Sequence, residues 1–171
     1  MAIPSALEAS LWMVGETMRD AADDWWVIAG AAAALHGAGG PEVGDVDVLA
    51  SDRDASALLG KLGLQPVQAP PHPLFQSRIL GRWTAPPMTV EIMAGFRIRD
   101  GSAWREVWPR TRRRMAVRDT FVFAPSADEL ADLLRLVGRP KDLERARLLA
   151  ADRGRSTVER KGDGSLRRPS S

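Results

Sequence analysis

The chain has 171 residues, 44% hydrophobic and 27% charged, with a formal net charge of +2, which suits one ordinary globular domain. It contains no cysteine and only two histidines, His36 and His72, which excludes disulfides, a thiolate nucleophile and histidine-rich metal sites, so any bound metal takes oxygen ligands. No apolar run reaches the roughly 18–20 residues that span a bilayer, and the start MAIPSALEASLW lacks a basic region before an apolar core, so a cytoplasmic protein with no membrane partner is expected.

In chain order, Leu7, Leu11, Val14, Met18 and Ala21 recur at helical spacing and predict an amphipathic helix over 5–22 with Ser5 at its N-cap. WWVIAG (25–30) reads as a compact apolar strand ending at Gly30, and AAAALHG as a short helix stopped by Gly37. After the loop AGGPEVG comes the strand DVDVLA (45–50). Ser51 or Asp52 then caps a helix with Ala55, Leu58, Leu59 and Leu62 on one face. QSRILGRW and MTVEIMAGF predict a strand pair around the turn TAPP, and RMAVRDTFVFAP two short strands around Arg118-Asp119. A helix from Ser126 buries Leu130, Leu133, Leu134 and Val137; GRP interrupts it, and a last helix covers about 141–152.

This order predicts an α+β fold: a small mixed β-sheet with flanking helices, closed by a C-terminal helical segment. The domain is expected to occupy 1–153, with its C-terminal helices at about 126–152. Residues 154–171 carry five basic and two acidic residues, a net +3, leaving residues 1–153 at −1 of the chain's +2. That segment is rich in Gly, Ser and Arg and reads as a disordered basic tail, which either helps to hold RNA or only solubilises the protein.

Asp45 and Asp47 are two apart in an apolar strand and project to one face, while Val46 and Val48 point into the core. Two such carboxylates repel one another unless a cation lies between them. Mg²⁺ takes hard oxygen ligands and leaves positions open for phosphate oxygens. Glu91 interrupts the strand TVEIMAG in the same way, and becomes a third carboxylate if that strand lies beside DVDV. The alternative is a solvated acidic edge. Before this strand, Gly30 leads into a short helix whose free N–H groups can meet a phosphate.

The stretch VIAGAAAALHGAGGPEVGDVDVLAS resembles the signature of the nucleotidyltransferase superfamily with the DNA polymerase β-like fold: an apolar residue, Gly, Gly or Ser, a spacer, then Asp-x-Asp. Here thirteen residues (32–44) separate Ala31 from Asp45. SADELADLLRLVGRPKDLERARLL resembles the C-terminal helices of AbiEii-like and related minimal bacterial nucleotidyltransferases. The resemblance implies that Asp45, Asp47 and Glu91 are the catalytic, metal-binding residues and hold two Mg²⁺ ions. It also implies that Gly30, Ala31, Lys141 and Asp142 bind the nucleotide. A nucleoside triphosphate would give its nucleotidyl group to a hydroxyl on RNA (tRNA among the candidates), protein or a small molecule. The AbiEii likeness further implies a toxin with a cognate antitoxin.

The sequence departs from the pattern at five positions. Ala31 replaces the usual Gly or Ser. Pro41 and Val43 stand for an Arg and a Thr. Leu134, with Arg135 beside it, takes the place of a Lys, and Arg145 that of an Asp. These departures leave open a catalytically weak or inactive relative that binds nucleotide or protein, and a plain α+β domain is a third reading. His36 reads as structural, and RTRRR (110–114) as a solvated strand end or a contact for triphosphate or RNA. Asp142 either serves the nucleotide pocket or caps the last helix and pairs with Arg139. Of Trp25 and Trp26, one is expected in the core and one at the sheet edge, with Trp83, Trp104 and Trp108 nearer the cleft.

Overall fold

The computed structural model describes residues 3–38 and 42–162. The chain enters through α1 (Ser5–Thr17), whose Leu7, Leu11 and Val14 are buried. Pro4 occupies the N-cap position expected of Ser5, and the helix stops five residues short of Ala22. The early stop has a tertiary cause: the Ala22 and Asp23 N–H groups donate to the Asp54 carboxylate at 3.0 and 2.7 Å, turning the chain toward β1 (Trp26–Ile28).

The elements that follow are α2 (Ala29–Leu35), β2 (Val46–Leu49), α3 (Asp52–Leu62), β3 (Phe75–Gln76), β4 (Ile79–Trp83), β5 (Val90–Ala94), β6 (Arg97–Asp100), β7 (Ala103–Glu106), β8 (Arg113–Val117), β9 (Thr120–Ala124), α4 (Ala127–Val137) and α5 (Pro140–Gly162). The expected α+β architecture is present. Ser51 is the N-cap of α3, its Oγ accepting from the Asp54 N–H, and Ser126 caps α4 in the same way. The last helix continues past 152 to Gly162, into the segment expected to be an unstructured tail; 163–171 lie outside the described residues.

The main sheet has the order β1-β2-β5-β4, with β2 and β5 parallel and the outer pairs antiparallel. Alternation divides its side chains between two cores. Val27, Val46, Val48, Val90 and Ile92 join the larger core with α1 and α3. Trp26, Ile28, Leu49 and Met93 join a second core with Phe96, Ile98 and Val107. Both faces are covered, so Trp25 and Trp26 are both buried rather than one lying at an edge.

The second core rests on a sheet that the sequence reading did not separate, β3-β6-β7. A third unit is the β8–β9 hairpin, turned at Arg118 with φ 53°. Among the described residues, no helix is long and apolar enough to cross a membrane.

Candidate active site

Asp47 lies on β2 directly opposite Glu91 on the parallel neighbour β5, and opposite Ile28 on the antiparallel neighbour β1. Asp45 sits one residue before β2, where the Val46 N–H donates to the Thr89 carbonyl at 2.9 Å. A carboxylate oxygen from each of Asp45, Asp47 and Glu91 lies within 4.8 Å of the other two. The juxtaposition follows from the register: one residue of slip in β2–β5 would turn Asp47 and Glu91 to opposite faces.

The electrostatics of this group are unfavourable by themselves. Burial, then Asp45, then Glu91 push the Asp47 carboxyl up to about 7, with Arg139 and Lys141 opposing the rise. Three hard oxygen donors that repel one another suit a divalent cation; Asp45, Asp47 and Glu91 could hold a metal. Glu91 already has one cationic partner, Arg82, its cross-strand neighbour on β4, at 3.0 Å.

The strand-to-helix turn differs from the expected one. β1 ends at Ile28, and Ala29 makes the turn with φ 54°, a conformation that costs a residue bearing a Cβ roughly 1–2 kcal/mol. Gly30 and Ala31 are buried in the first turn of α2. Gly30 meets a side chain: a Cβ there would lie 2.8 Å from the Arg145 guanidinium carbon. Arg145 is only 4% exposed and donates from Nη2 to the Glu42 carbonyl at 3.0 Å. Burial lowers its pKa, against the pull of Asp142. It thus ties α5 to the α2 turn and to the loop that delivers Asp45. The sequence reading noted Arg145 only as a departure from a pattern.

Asp142 is fully buried. It accepts from Arg139 Nε at 2.6 Å and Nη2 at 3.2 Å, and Arg145 Nη1 stands 3.6 Å away. Its carboxylate organises two arginines and would act on a ligand through them. Lys141, next to it, is exposed and lines the cleft.

These residues open on one cleft of about 880 Å³, whose lining includes Gly30, Asp45, Asp47, Glu91, Arg139, Lys141, Asp142 and Arg145. Ala31 is buried behind Gly30 and does not line it. His36 is structural, its Nε2 donating to the Pro125 carbonyl at 2.7 Å. The RTRRR run stays away from the cleft: Arg112 and Arg114 lie over the rings of Phe123 and Phe121. Of the three tryptophans placed near the cleft by sequence, only Trp104 lines it; Trp83 is core, and Trp108 is 47% exposed against Trp26.

No protein-family model and no curated protein matches the sequence. Solved structures do match in shape. A Thermotoga maritima protein classed as a nucleotidyltransferase aligns over 88% of this chain and 91% of its own, at 17% identity and a TM-score of 0.63. The antibiotic-resistance factor ANT(2'')-Ia in solution aligns over 92% and 89%, at 13% identity and a TM-score of 0.56. Its complex with adenylyl-2''-tobramycin aligns over 84% and 87%, at 14% identity and 0.52. The chain has the nucleotidyltransferase fold, and identities this low carry the fold alone.

Proposed function

We propose that this chain is a Mg²⁺-dependent nucleotidyltransferase that moves a nucleoside monophosphate from a triphosphate to a hydroxyl acceptor. The observation that carries this reading is the triad: Asp45, Asp47 and Glu91 offer oxygens within 4.8 Å of one another in the lining of one cleft. These three would hold the metal, two ions in the fullest form of the proposal, and bound metal would offset phosphate charge and make the acceptor oxygen a better nucleophile. The chain's own cations supply the rest. Lys141, Arg139 and Arg145 line the cleft and would meet the triphosphate oxygens, with Asp142 fixing the two guanidinium groups. Gly30 would contribute by leaving room for Arg145, and Ala31 by its small size in the same turn. The acceptor oxygen would bond to the α-phosphorus as the bond to the β-phosphate breaks and pyrophosphate leaves.

A second reading, a relative that binds nucleotide but turns over slowly or not at all, is favoured by one contact. Arg82 holds Glu91 at 3.0 Å and must release it, or share it, before Glu91 serves a metal. Incubation with α-labelled triphosphates, Mg²⁺, total RNA and a panel of hydroxyl compounds separates the two. Label transfer lost in Asp45→Ala/Asp47→Ala supports the enzyme; nucleotide binding with no transfer supports the binding module. RNA acceptors and a cytoplasmic site of action belong to the same proposal, as does a toxin role with its antitoxin, which rests on the likeness of the C-terminal helices to AbiEii-like proteins.

A further inference from the structure

Away from the triad the cleft changes character. Asp142 is the one other carboxylate among its described lining residues, and it is buried between Arg139 and Arg145. No lining carboxylate outside the triad is therefore free to receive an ammonium group. One wall is instead apolar and aromatic: Phe75 and Trp104 are its partly exposed members, and Phe96, Ile98 and Val107 belong to the buried second core that backs it. The Phe75 and Phe96 rings stand 5.9 Å apart, His72 stacks on Phe75 at 4.8 Å, and the Arg139 guanidinium lies 5.0 Å from the Phe75 centroid.

This wall begins close to the reacting end of the cleft. Glu91 and Met93 project to the same face of β5, two residues and about 7 Å apart, and Met93 packs with Phe96 and Ile98 while lining the cleft. A ring lying on the wall can thus present a hydroxyl at the carboxylates.

We propose that the wall seats the acceptor, and that the acceptor is a small hydroxyl compound with a planar apolar body and no cluster of ammonium groups. The word acceptor rests on the nucleotidyltransferase reading above; the ring-binding wall does not. In the transfer, the acceptor oxygen–phosphorus bond replaces the bond to pyrophosphate, and the hydroxyl proton leaves to solvent. An aminosugar such as the tobramycin moiety seen with ANT(2'')-Ia carries several ammonium groups. Here it would face guanidinium groups and aromatic rings with no carboxylate partner outside the triad, whose oxygens the proposal gives to the metal, which selects against it.

The test is a fluorescence titration of the full chain with 2-naphthol, first without nucleotide or metal. Saturable binding is expected, weakened by roughly fivefold or more in Trp104→Ala and in Phe75→Ala. Tobramycin in excess should not displace the naphthol, and saturating ATP with Mg²⁺ should leave its affinity unchanged, because the two occupy different parts of the cleft. No saturable binding, equal affinity in both variants, displacement by tobramycin, or one-for-one displacement by the nucleotide overturns the proposal. The last outcome would make the wall a seat for the base. Cooperative thermal melts of the variants within a few degrees of the parent's show that they are folded. A parent that binds naphthol but no nucleotide would defeat the nucleotidyltransferase reading and leave the ring-binding wall standing.

Discussion

Asp47 is where a strand's packing and a site's chemistry conflict. Its neighbours Val46 and Val48 are fully buried, so the strand is held by its apolar face while the other face carries a carboxyl that burial and two acidic neighbours push up to about 7. The consequence for stability has a definite sign. Below 3.8 the group is protonated whether folded or unfolded; between 3.8 and about 7 only the unfolded state ionises. The metal-free fold should therefore lose stability as pH rises through that window, and Mg²⁺ should restore it progressively, since it binds the ionised form. Asp47→Asn should raise the metal-free melting temperature at pH 8 and abolish the Mg²⁺-induced rise; thermal melts with Mg²⁺ or EDTA across pH 5–8 check both. Gly30 gives a second prediction. Gly30→Ala would press a methyl on the Arg145 guanidinium, and should cost about 1–3 kcal/mol in denaturant unfolding while weakening nucleotide binding. The need for a small residue at 30 was legible in the sequence. Its partner was not, because Arg145 lies more than a hundred positions away on another element.

At the scale of elements, the starts of α3 and α4 and the β4–β5 and β8–β9 pairs were legible, whereas the cap expected at Ser5 falls on Pro4. Ser51, one of the two caps expected for α3, and Ser126, where α4 was expected to begin, cap their helices because a serine hydroxyl oxygen accepts an N–H that the helix itself cannot satisfy. Ser51 also donates to Asp23 at 2.7 Å, so Ser51→Ala should cost about 1–2 kcal/mol, measurable in chemical denaturation. The β4–β5 pair was expected from its turn, and its register carries the Arg82–Glu91 contact. The parallel β2–β5 pairing that completes the triad was an open condition in the sequence, since no local turn specifies which strand lies beside which. β6 and β7 were missed: in RIRDGSAWRE (97–106) a single Ile alternates with arginines, so the apolar signal is thin. The Asp100-Gly101 dipeptide, with Gly101 at φ 61°, was the available clue to that hairpin. α1 ended early because its stop is tertiary, made by the Asp54 carboxylate reaching back from α3.

Across the whole molecule, the main sheet, the β3-β6-β7 sheet and helices α2, α4 and α5 line one cleft with a carboxylate end, a cationic side at the start of α5 and an aromatic wall, while α1, α3 and the β8–β9 hairpin contribute none of its described lining residues. Each part comes from a different region of the chain: the acids from β2 and β5, the cations from the start of α5, the wall from β3, β6 and β7. Solved nucleotidyltransferases share the fold at 13–17% identity, and a likeness at that level names no substrate. The most direct measurement is calorimetric titration of the full chain with ATP in the presence of Mg²⁺, for the parent and for Asp45→Ala/Asp47→Ala. One-to-one binding that requires Mg²⁺ and weakens by at least about tenfold in the double variant is the expected result. Equal affinity in the two proteins, or no binding to the parent with Mg²⁺ present, would contradict the assignment of the triad as a metal-nucleotide centre.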